Sequence, residues 1–208
     1  MSNYQEVGIL EDLGRRYNRN SPDYLERKLE GQIPVFVYGT LRQGFSNHGL
    51  LKDLPYLGRG VSAIEKFEMR EPHHGGFPLL FENGQRTNSS NVMSGKVHGE
   101  VYVVDPLTLL ELDRLEGNGY MYTRSKQWIT LRDQQVPSKT NNFKPCIQAW
   151  TYIACKPFWR DRVTTSVPSK MVNSVRQYDW ADSFMNALEE IPAGKKKQQQ
   201  QKSTTLLI

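Results

Sequence analysis

The stretch Tyr38-Gly39-Thr40-Leu41 is the first place where the sequence carries residues suited to binding a ligand. It ends a short apolar run at residues 33–38, so the backbone leaves a predicted strand and turns. Glycine lets a backbone approach a ligand closely, and consecutive N–H groups in such a turn form a concavity that binds anions. The Gly-Lys-Ser/Thr of a nucleotide-binding P-loop does not follow, which excludes that class. An ordinary turn from strand to loop is the alternative, and from this stretch alone it is the commoner case.

A carboxylate at the end of a predicted helix is the second candidate. Asp105 has the position of an N-cap, Pro106 the first helical position, and Gly117 ends the helix. Glu116 follows the core-facing Leu115 near the negative pole of the helix dipole. That position, together with any burial, favours the protonated carboxyl, which suits a group that moves protons. A solvated surface charge is the alternative when the helix is considered by itself.

The elements that must position these two stretches are mostly strands. We predict strands and apolar stretches at residues 33–38, 58–63, 77–81, 97–104, 122–131 and 147–154. A short helical turn is expected at residues 47–51, one clear helix in the middle of the chain, and a terminal helix at 179–188. This order predicts an α+β fold, a small mixed β-barrel with flanking helices and with helical N- and C-terminal extensions, rather than a doubly wound sheet.

Five stretches of the chain, taken in order, resemble the gamma-glutamylcyclotransferase-like (AIG2-like) family. They are Val35-Phe36-Val37-Tyr38-Gly39-Thr40-Leu41-Arg42-x-Gly44, Val97-x-Gly99-Glu100-Val101-Tyr102, Leu112-Asp113-x-Leu115-Glu116-Gly117, Tyr122-x-Arg124 and Ala149-Trp150-x-Tyr152. Any one of them is a weak signal, but five in register are a specific one. The resemblance covers about residues 33–155.

The resemblance implies a site as well as a fold. In such enzymes the turn after the first strand binds the substrate's carboxylate end through backbone amides. Carried over by position, this cradle consists of Tyr38, Gly39, Thr40 and Leu41. Glu116 is then the catalytic acid and base. Tyr122 is counted with the substrate-binding residues, and Tyr122 and Arg124 are expected to build the pocket wall or support the barrel rather than to be catalytic.

The implied reaction is the cyclisation of a γ-glutamyl amide or γ-glutamyl-amine to 5-oxoproline with release of the amine. The substrate's own α-amine attacks its γ-carbonyl, so the enzyme mainly has to hold a folded conformer. Glu116 would take a proton from the α-ammonium and deliver it to the leaving nitrogen. We therefore expect a small-molecule γ-glutamyl substrate and no cofactor.

Composition narrows the class of protein. The chain has 208 residues, of which 38% are hydrophobic, and a mean hydropathy of -0.63. This suits one domain with terminal extensions, and no apolar run is long enough for a transmembrane helix. No secretory signal is evident, so we expect a soluble, cytoplasmic protein, with organelle targeting left open. Cys146 and Cys155 are expected to be reduced, and the adjacent His73 and His74 to be loop residues, so we predict no metal.

The net charge of +5 comes mostly from the end of the chain. Four lysines and no acid lie between residues 191 and 208, and the remaining body is nearly neutral. We divide the chain into an N-terminal extension (1–32), a gamma-glutamylcyclotransferase-like domain (33–156), a C-terminal extension with a helix (157–193) and a basic tail (194–208) expected to be disordered. Nucleic acid binding is not expected except through this tail.

A binding or assembly subunit is the competing class. Such a protein would keep the fold and use its terminal extensions to hold a protein or ribonucleoprotein partner. Glu116 argues for an enzyme, because a structural role gives no reason for an acid at that helix end. The glycine-rich loop 117–121 could shape a different leaving-group site. The segment 72–77 could line the pocket, although an ordinary flexible loop is the commoner case.

Overall fold

The structure is a computed structural model that describes residues 31–83, 94–133, 144–167, 169–173 and 175–181. Ten strands occur in these ranges: β1 (Ile33–Val37), β2 (Tyr56–Ser62), β3 (Phe67–Pro72), β4 (Leu79–Glu82), β5 (Lys96–Val104), β6 (Tyr122–Leu131), β7 (Cys146–Ala154), β8 (Val163–Ser166), β9 (Ser169–Val172) and β10 (Val175–Tyr178). The helices there are α1 (Pro106–Glu116), α2 (Lys156–Trp159) and a 3-10 turn, His48–Leu50. None of the helices in these ranges has the length and apolar character needed to cross a membrane.

Five strands close a small barrel. Their order is β1-β7-β6-β2-β5, and β5 pairs back with β1. The β1–β7 pair is parallel, with Val35 opposite Trp150, and the other four pairs are antiparallel. Closure protects the strand edges from pairing with other chains. The predicted mixed barrel is confirmed.

A second group of strands packs outside the barrel. Strands β4, β3 and β8 form a separate sheet in that order, and β10 pairs in parallel with the start of β5. Strands β8 to β10 and α2 belong to the segment that we treated as an extension from residue 157. In its described part, this segment pairs with β3 and β5 rather than forming a helical arm. The rest of the predicted terminal helix, the tail (194–208) and most of the N-terminal extension (1–32) lie outside the described residues.

Strand β1 has core on both sides. Phe36 and Tyr38 pack into one hydrophobic cluster, and Val35 and Val37 pack into the other. A strand buried on both faces appears in the sequence as a continuous apolar run rather than an alternating one. The strand therefore delivers the turn that follows it from the middle of the packed structure.

Helix α1 begins and ends as predicted. The Asp105 carboxylate accepts hydrogen bonds from the N–H groups of Leu107 and Thr108 at 2.8 and 2.9 Å. Gly117 ends the helix with φ of 57°, in the left-handed region that glycine adopts without strain. Leu112 is fully buried and anchors the helix against the barrel. Glu116 is thus the last residue of a helix that is capped at both ends and packed against the barrel.

Candidate active site

A cleft that is partly open to solvent is lined by the turn after β1 and by the end of α1. It brings together the predicted catalytic and substrate-binding residues, Tyr38, Gly39, Thr40, Leu41, Glu116 and Tyr122, whereas Arg124 does not line it. The remaining wall is mostly apolar, and it consists of Phe36, Val37, Asn47, Phe77, Pro78, Leu115, Met121 and Tyr152. The cleft can therefore enclose a small molecule against a single carboxylate.

Glu116 is the one charged side chain among the described residues that line the cleft. Within the described part of the chain, no hydrogen bond or ion pair is made by its carboxylate. Burial raises the pKa of Glu116 from 4.5 to about 7. Since a general acid and base works best when its pKa lies near the operating pH, this carboxyl is suited to take up and return a proton.

The negative charge of Glu116 affects the pKa of two tyrosines that line the cleft. Burial, followed by the negative charge of Glu116, raises the pKa of both Tyr38 and Tyr122 well above the usual value. Both hydroxyls are thus protonated at neutral pH. The Tyr38 hydroxyl donates a hydrogen bond of 2.6 Å to the carbonyl oxygen of Tyr152. The Tyr122 hydroxyl has no partner among the described residues, so a bound molecule can use it as a donor.

The turn after β1 is closed by bonds to its carbonyl groups. The N–H of Arg42 donates to the Gly39 oxygen at 3.0 Å, and the N–H of Asn47 donates to the Thr40 oxygen at 3.1 Å. The N–H groups of Gly39, Thr40 and Leu41 have no acceptor among the described residues. Consecutive unpaired N–H groups beside a cleft provide the donors that a carboxylate needs.

Gly39 is also where a neighbouring segment comes close to the turn. A Cβ added at Gly39 would lie 2.8 Å from Cγ of Pro78, which is closer than real side chains approach. Pro78 and Phe77 line the cleft, so the end of the 72–77 loop contributes to the wall, whereas His73 and His74 are not among the lining residues. Because Gly39 has no side chain, Pro78 can pack directly against the turn.

A polar network behind the cleft holds the end of α1. The Tyr152 hydroxyl donates to Oδ1 of Asp113 at 2.7 Å, and Nη1 of Arg124 lies 3.1 Å from Oδ2 of the same carboxylate. The Arg124 guanidinium stacks over the Trp150 ring at 4.7 Å. Sequence analysis assigned no role to Tyr152 or Asp113. Both nevertheless lie inside the stretches that carried the family resemblance, and this position was the feature of the sequence that could have pointed to them.

The loop after α1 contributes one wall of the cleft. Gly117 turns the chain, and Met121 then lines the cleft. The carbonyl oxygen of Met121 accepts hydrogen bonds from Nε1 of Trp159 and from the N–H of Cys155, at 2.8 and 2.9 Å. Cys146 and Cys155 are only partly buried, and no disulfide joins them among the described residues. The loop is thus tied to β7 and α2, and it is part of the scaffold of the site.

One family model and several known proteins are similar to this chain in sequence. The sequence model of the family described as gamma-glutamyl cyclotransferase, AIG2-like matches residues 35–181, more than half of the chain. A relative from Methanocaldococcus jannaschii is 35% identical over 119 residues, which cover 57% of this chain and 81% of the relative. The human gamma-glutamylaminecyclotransferase is 30% identical over 122 residues, which cover 57% of this chain and 76% of the human protein.

Among solved structures, the crystal structure of an AIG2-like protein from Mus musculus matches with a TM-score of 0.48 and 24% identity. The match covers 66% of this chain and 88% of the mouse chain. The family match also continues past residue 156 through β8, β9 and β10. On the family match and the M. jannaschii relative, the chain belongs to the gamma-glutamyl cyclotransferase, AIG2-like family of enzymes.

Proposed function

We propose that this chain converts a γ-glutamyl-amine into 5-oxoproline and the free amine, with Glu116 as the general acid and base. The observation that carries the proposal is a half-buried carboxyl, with its pKa raised to about 7, in the same cleft as a turn of unpaired N–H groups. The first can move protons at neutral pH, and the second can hold a substrate's carboxylate. No cofactor is required for a reaction in which both the nucleophile and the electrophile belong to the substrate.

Substrate binding is assigned to the turn after β1. The α-carboxylate of the γ-glutamyl group accepts hydrogen bonds from the N–H groups of Gly39, Thr40 and Leu41. This contact fixes one end of the molecule and lets its chain fold so that the α-amine reaches the γ-carbonyl. Holding the two reacting groups together is worth several kcal/mol of the barrier in well-oriented intramolecular reactions. The Tyr122 hydroxyl is assigned a further substrate contact, because it lines the cleft without a protein partner.

The proton moves through Glu116. Its carboxylate removes a proton from the substrate's α-ammonium, and the neutral amine attacks the γ-carbonyl carbon to form the ring C–N bond. The protonated carboxyl then delivers that proton to the leaving nitrogen as the bond to the γ-carbon breaks. The attacking nitrogen still carries one proton more than the lactam needs, and this second proton passes by way of the Glu116 carboxylate to the released amine, which leaves as an ammonium ion. The carboxylate is regenerated, and no atom remains on the enzyme. Acid–base assistance of this kind contributes roughly 10²- to 10⁴-fold.

The composition of the cleft favours an amine over an amino acid as the leaving group. No Lys, Arg or His occurs among the described residues that line it, and Glu116 supplies negative charge. A γ-glutamyl dipeptide would bring a second carboxylate into this site without a cation to pair with it, which costs binding free energy. A γ-glutamyl-amine carries no such group. Similarity to the human gamma-glutamylaminecyclotransferase supports the same choice.

Release of 5-oxoproline from a matched panel tests the proposal. The panel contains γ-glutamyl-amines and γ-glutamyl dipeptides of similar size, and the full chain is compared with Glu116→Gln. We expect turnover of the amines, weaker turnover of the dipeptides, and loss of at least about a hundredfold in Glu116→Gln with its fold unchanged by circular dichroism. No turnover of any compound would reject the proposal in favour of a binding or assembly subunit.

A further inference from the structure

The side chain of Arg42 links the substrate-binding turn to a distant part of the chain. Its Nη1 donates a hydrogen bond of 2.7 Å to Oδ1 of Asp179, which lies 137 residues away in the sequence. The Arg42 side chain is 11% exposed and that of Asp179 is 25% exposed. Ion pairs that are largely shielded from water are screened less than surface pairs and hold their geometry more firmly.

A buried carboxylate on β5 holds the other side of Arg42 and the exit of the turn. Glu100 Oε2 accepts hydrogen bonds from the backbone N–H of Gln43 at 3.0 Å and from the Tyr102 hydroxyl at 2.9 Å. Glu100 Oε1 lies 3.6 Å from Nε of Arg42. The backbone N–H of Arg42 itself donates to the Gly39 oxygen and closes the turn. The cradle and the Arg42 side chain therefore belong to one connected network of hydrogen bonds and ion pairs.

Packing and a hydrogen bond also hold the segment that carries Asp179 in place. Trp180 is buried, its ring packs against Phe45 with 5.1 Å between ring centroids, and its Nε1 donates to Oε1 of Glu71 at 2.7 Å. Phe45 lies in the same loop as Arg42, three residues further along. The segment thus contacts the loop after the cradle through an ion pair and through an aromatic contact.

We infer that Asp179 is a positioning residue for substrate binding, acting through Arg42 on the backbone cradle at Gly39–Leu41. Asp179 lies on a segment outside the barrel and does not line the cleft. Its carboxylate orients the Arg42 guanidinium, which together with Glu100 holds the turn in the shape that presents its N–H groups. This inference rests on the proposed function for its kinetic consequence, but its structural part is independent of the reaction.

The kinetic test compares Asp179→Asn and Asp179→Glu with the parent chain. The control is Asp133→Asn, which weakens the exposed ion pair between Asp133 and Arg59. Loss of one charge-assisted hydrogen bond from a binding element is expected to raise the KM of Asp179→Asn about tenfold. Its kcat and the pH profile of kcat should change little, because Glu116 is untouched. Asp179→Glu should recover most of the affinity, and Asp133→Asn should match the parent chain. A fall in kcat at constant KM would indicate a merely structural role and overturn the inference.

Hydrogen–deuterium exchange on the ligand-free full-length chain provides a readout that does not need activity. We expect faster exchange in the peptide covering residues 38–46 for Asp179→Asn, with Asp133→Asn unchanged. Equal exchange in all three proteins would overturn the inference, whatever the substrate. Absence of 5-oxoproline release from the parent chain would reject the proposed function, while the exchange result would still decide whether Asp179 holds the turn.

Discussion

The hydroxyl of Tyr152 donates a hydrogen bond of 2.7 Å to Asp113, which precedes Glu116 by one helical turn on α1. Tyr152 also accepts the 2.6 Å hydrogen bond from the Tyr38 hydroxyl through its carbonyl oxygen. One residue of β7 therefore contacts both sides of the cleft, the turn through Tyr38 and the helix through Asp113. The position of the carboxyl relative to the cradle depends on this connection.

Replacing Tyr152 with Phe tests whether that connection matters for chemistry. The variant loses the bond to Asp113 but keeps the carbonyl that accepts from Tyr38. Because small displacements of a reacting group are costly, we expect kcat to fall about tenfold or more with KM little changed. The free energy of unfolding should fall by about 1 kcal/mol. Steady-state kinetics and urea unfolding measure the two effects, with Tyr56→Phe as a control because Tyr56 is 41% exposed and does not line the cleft. An unchanged kcat would contradict the positioning role.

The pH dependence of the reaction should report the raised pKa of Glu116. Glu116 must be deprotonated to accept a proton from the substrate, so the base form accumulates as pH rises through about 7. We expect kcat/KM to rise about tenfold per pH unit below that value and to level off above it. Glu116→Gln should lack this rise. A midpoint near the ordinary pKa of 4.5 would show that burial does not control this carboxyl in solution.

The same pKa predicts a difference in stability. Between pH 4.5 and about 7, the folded chain retains a proton on Glu116 that the unfolded chain has lost. Protonation of the folded state then contributes less as pH rises, so the free energy of unfolding falls through this window. Glu116→Gln cannot titrate. The free energy of unfolding of Glu116→Gln, relative to that of the parent chain, should therefore rise by about 1 to 3 kcal/mol between pH 5 and pH 8. Urea unfolding at the two pH values measures this gain, and an equal pH dependence of the two proteins would contradict it.

Gly39→Ala should damage binding without unfolding the chain. The new methyl group would lie 2.8 Å from Cγ of Pro78, so either the turn or the cleft wall must shift. If the turn binds the substrate through its backbone N–H groups, as we propose, kcat/KM should fall about tenfold or more. Gly49→Ala is the matched control, since its added methyl group meets nothing within 4 Å. Equal activity of the two variants would argue against a substrate role for this turn.

The sequence predicted those parts of the site whose signals are local. The apolar run before Tyr38 indicated a buried strand followed by a turn, and that is how β1 ends. Asp105 and Gly117 indicated both ends of α1 because capping depends on a few neighbouring residues. The order of the five family-like stretches was enough to predict the mixed barrel, and the turn and Glu116 that it singled out line one cleft.

Strands outside the barrel were harder to predict. Strand β3 begins Phe67-Glu68-Met69 with all three residues buried, so it lacks the alternation that marks a strand with one exposed face. Strand β9 is mostly exposed and contains no apolar run to predict it. Such strands form because a partner strand is available: β3 pairs with β4 and β8, and β9 pairs with β10. The residues of a strand do not by themselves show which other strand will pair with it.

By itself, the sequence determined the fold class, the turn after β1 and the helix that ends at Glu116, because each depends on neighbouring residues or on an ordered set of motifs. Only the tertiary structure decided that Tyr152 connects the two walls of the cleft, that Asp179 reaches Arg42, and that the pKa of Glu116 is about 7. Desolvation and ion pairing are sums over atoms that are close in space. Segments more than a hundred residues apart supply those atoms here, so no local pattern in the chain contains them.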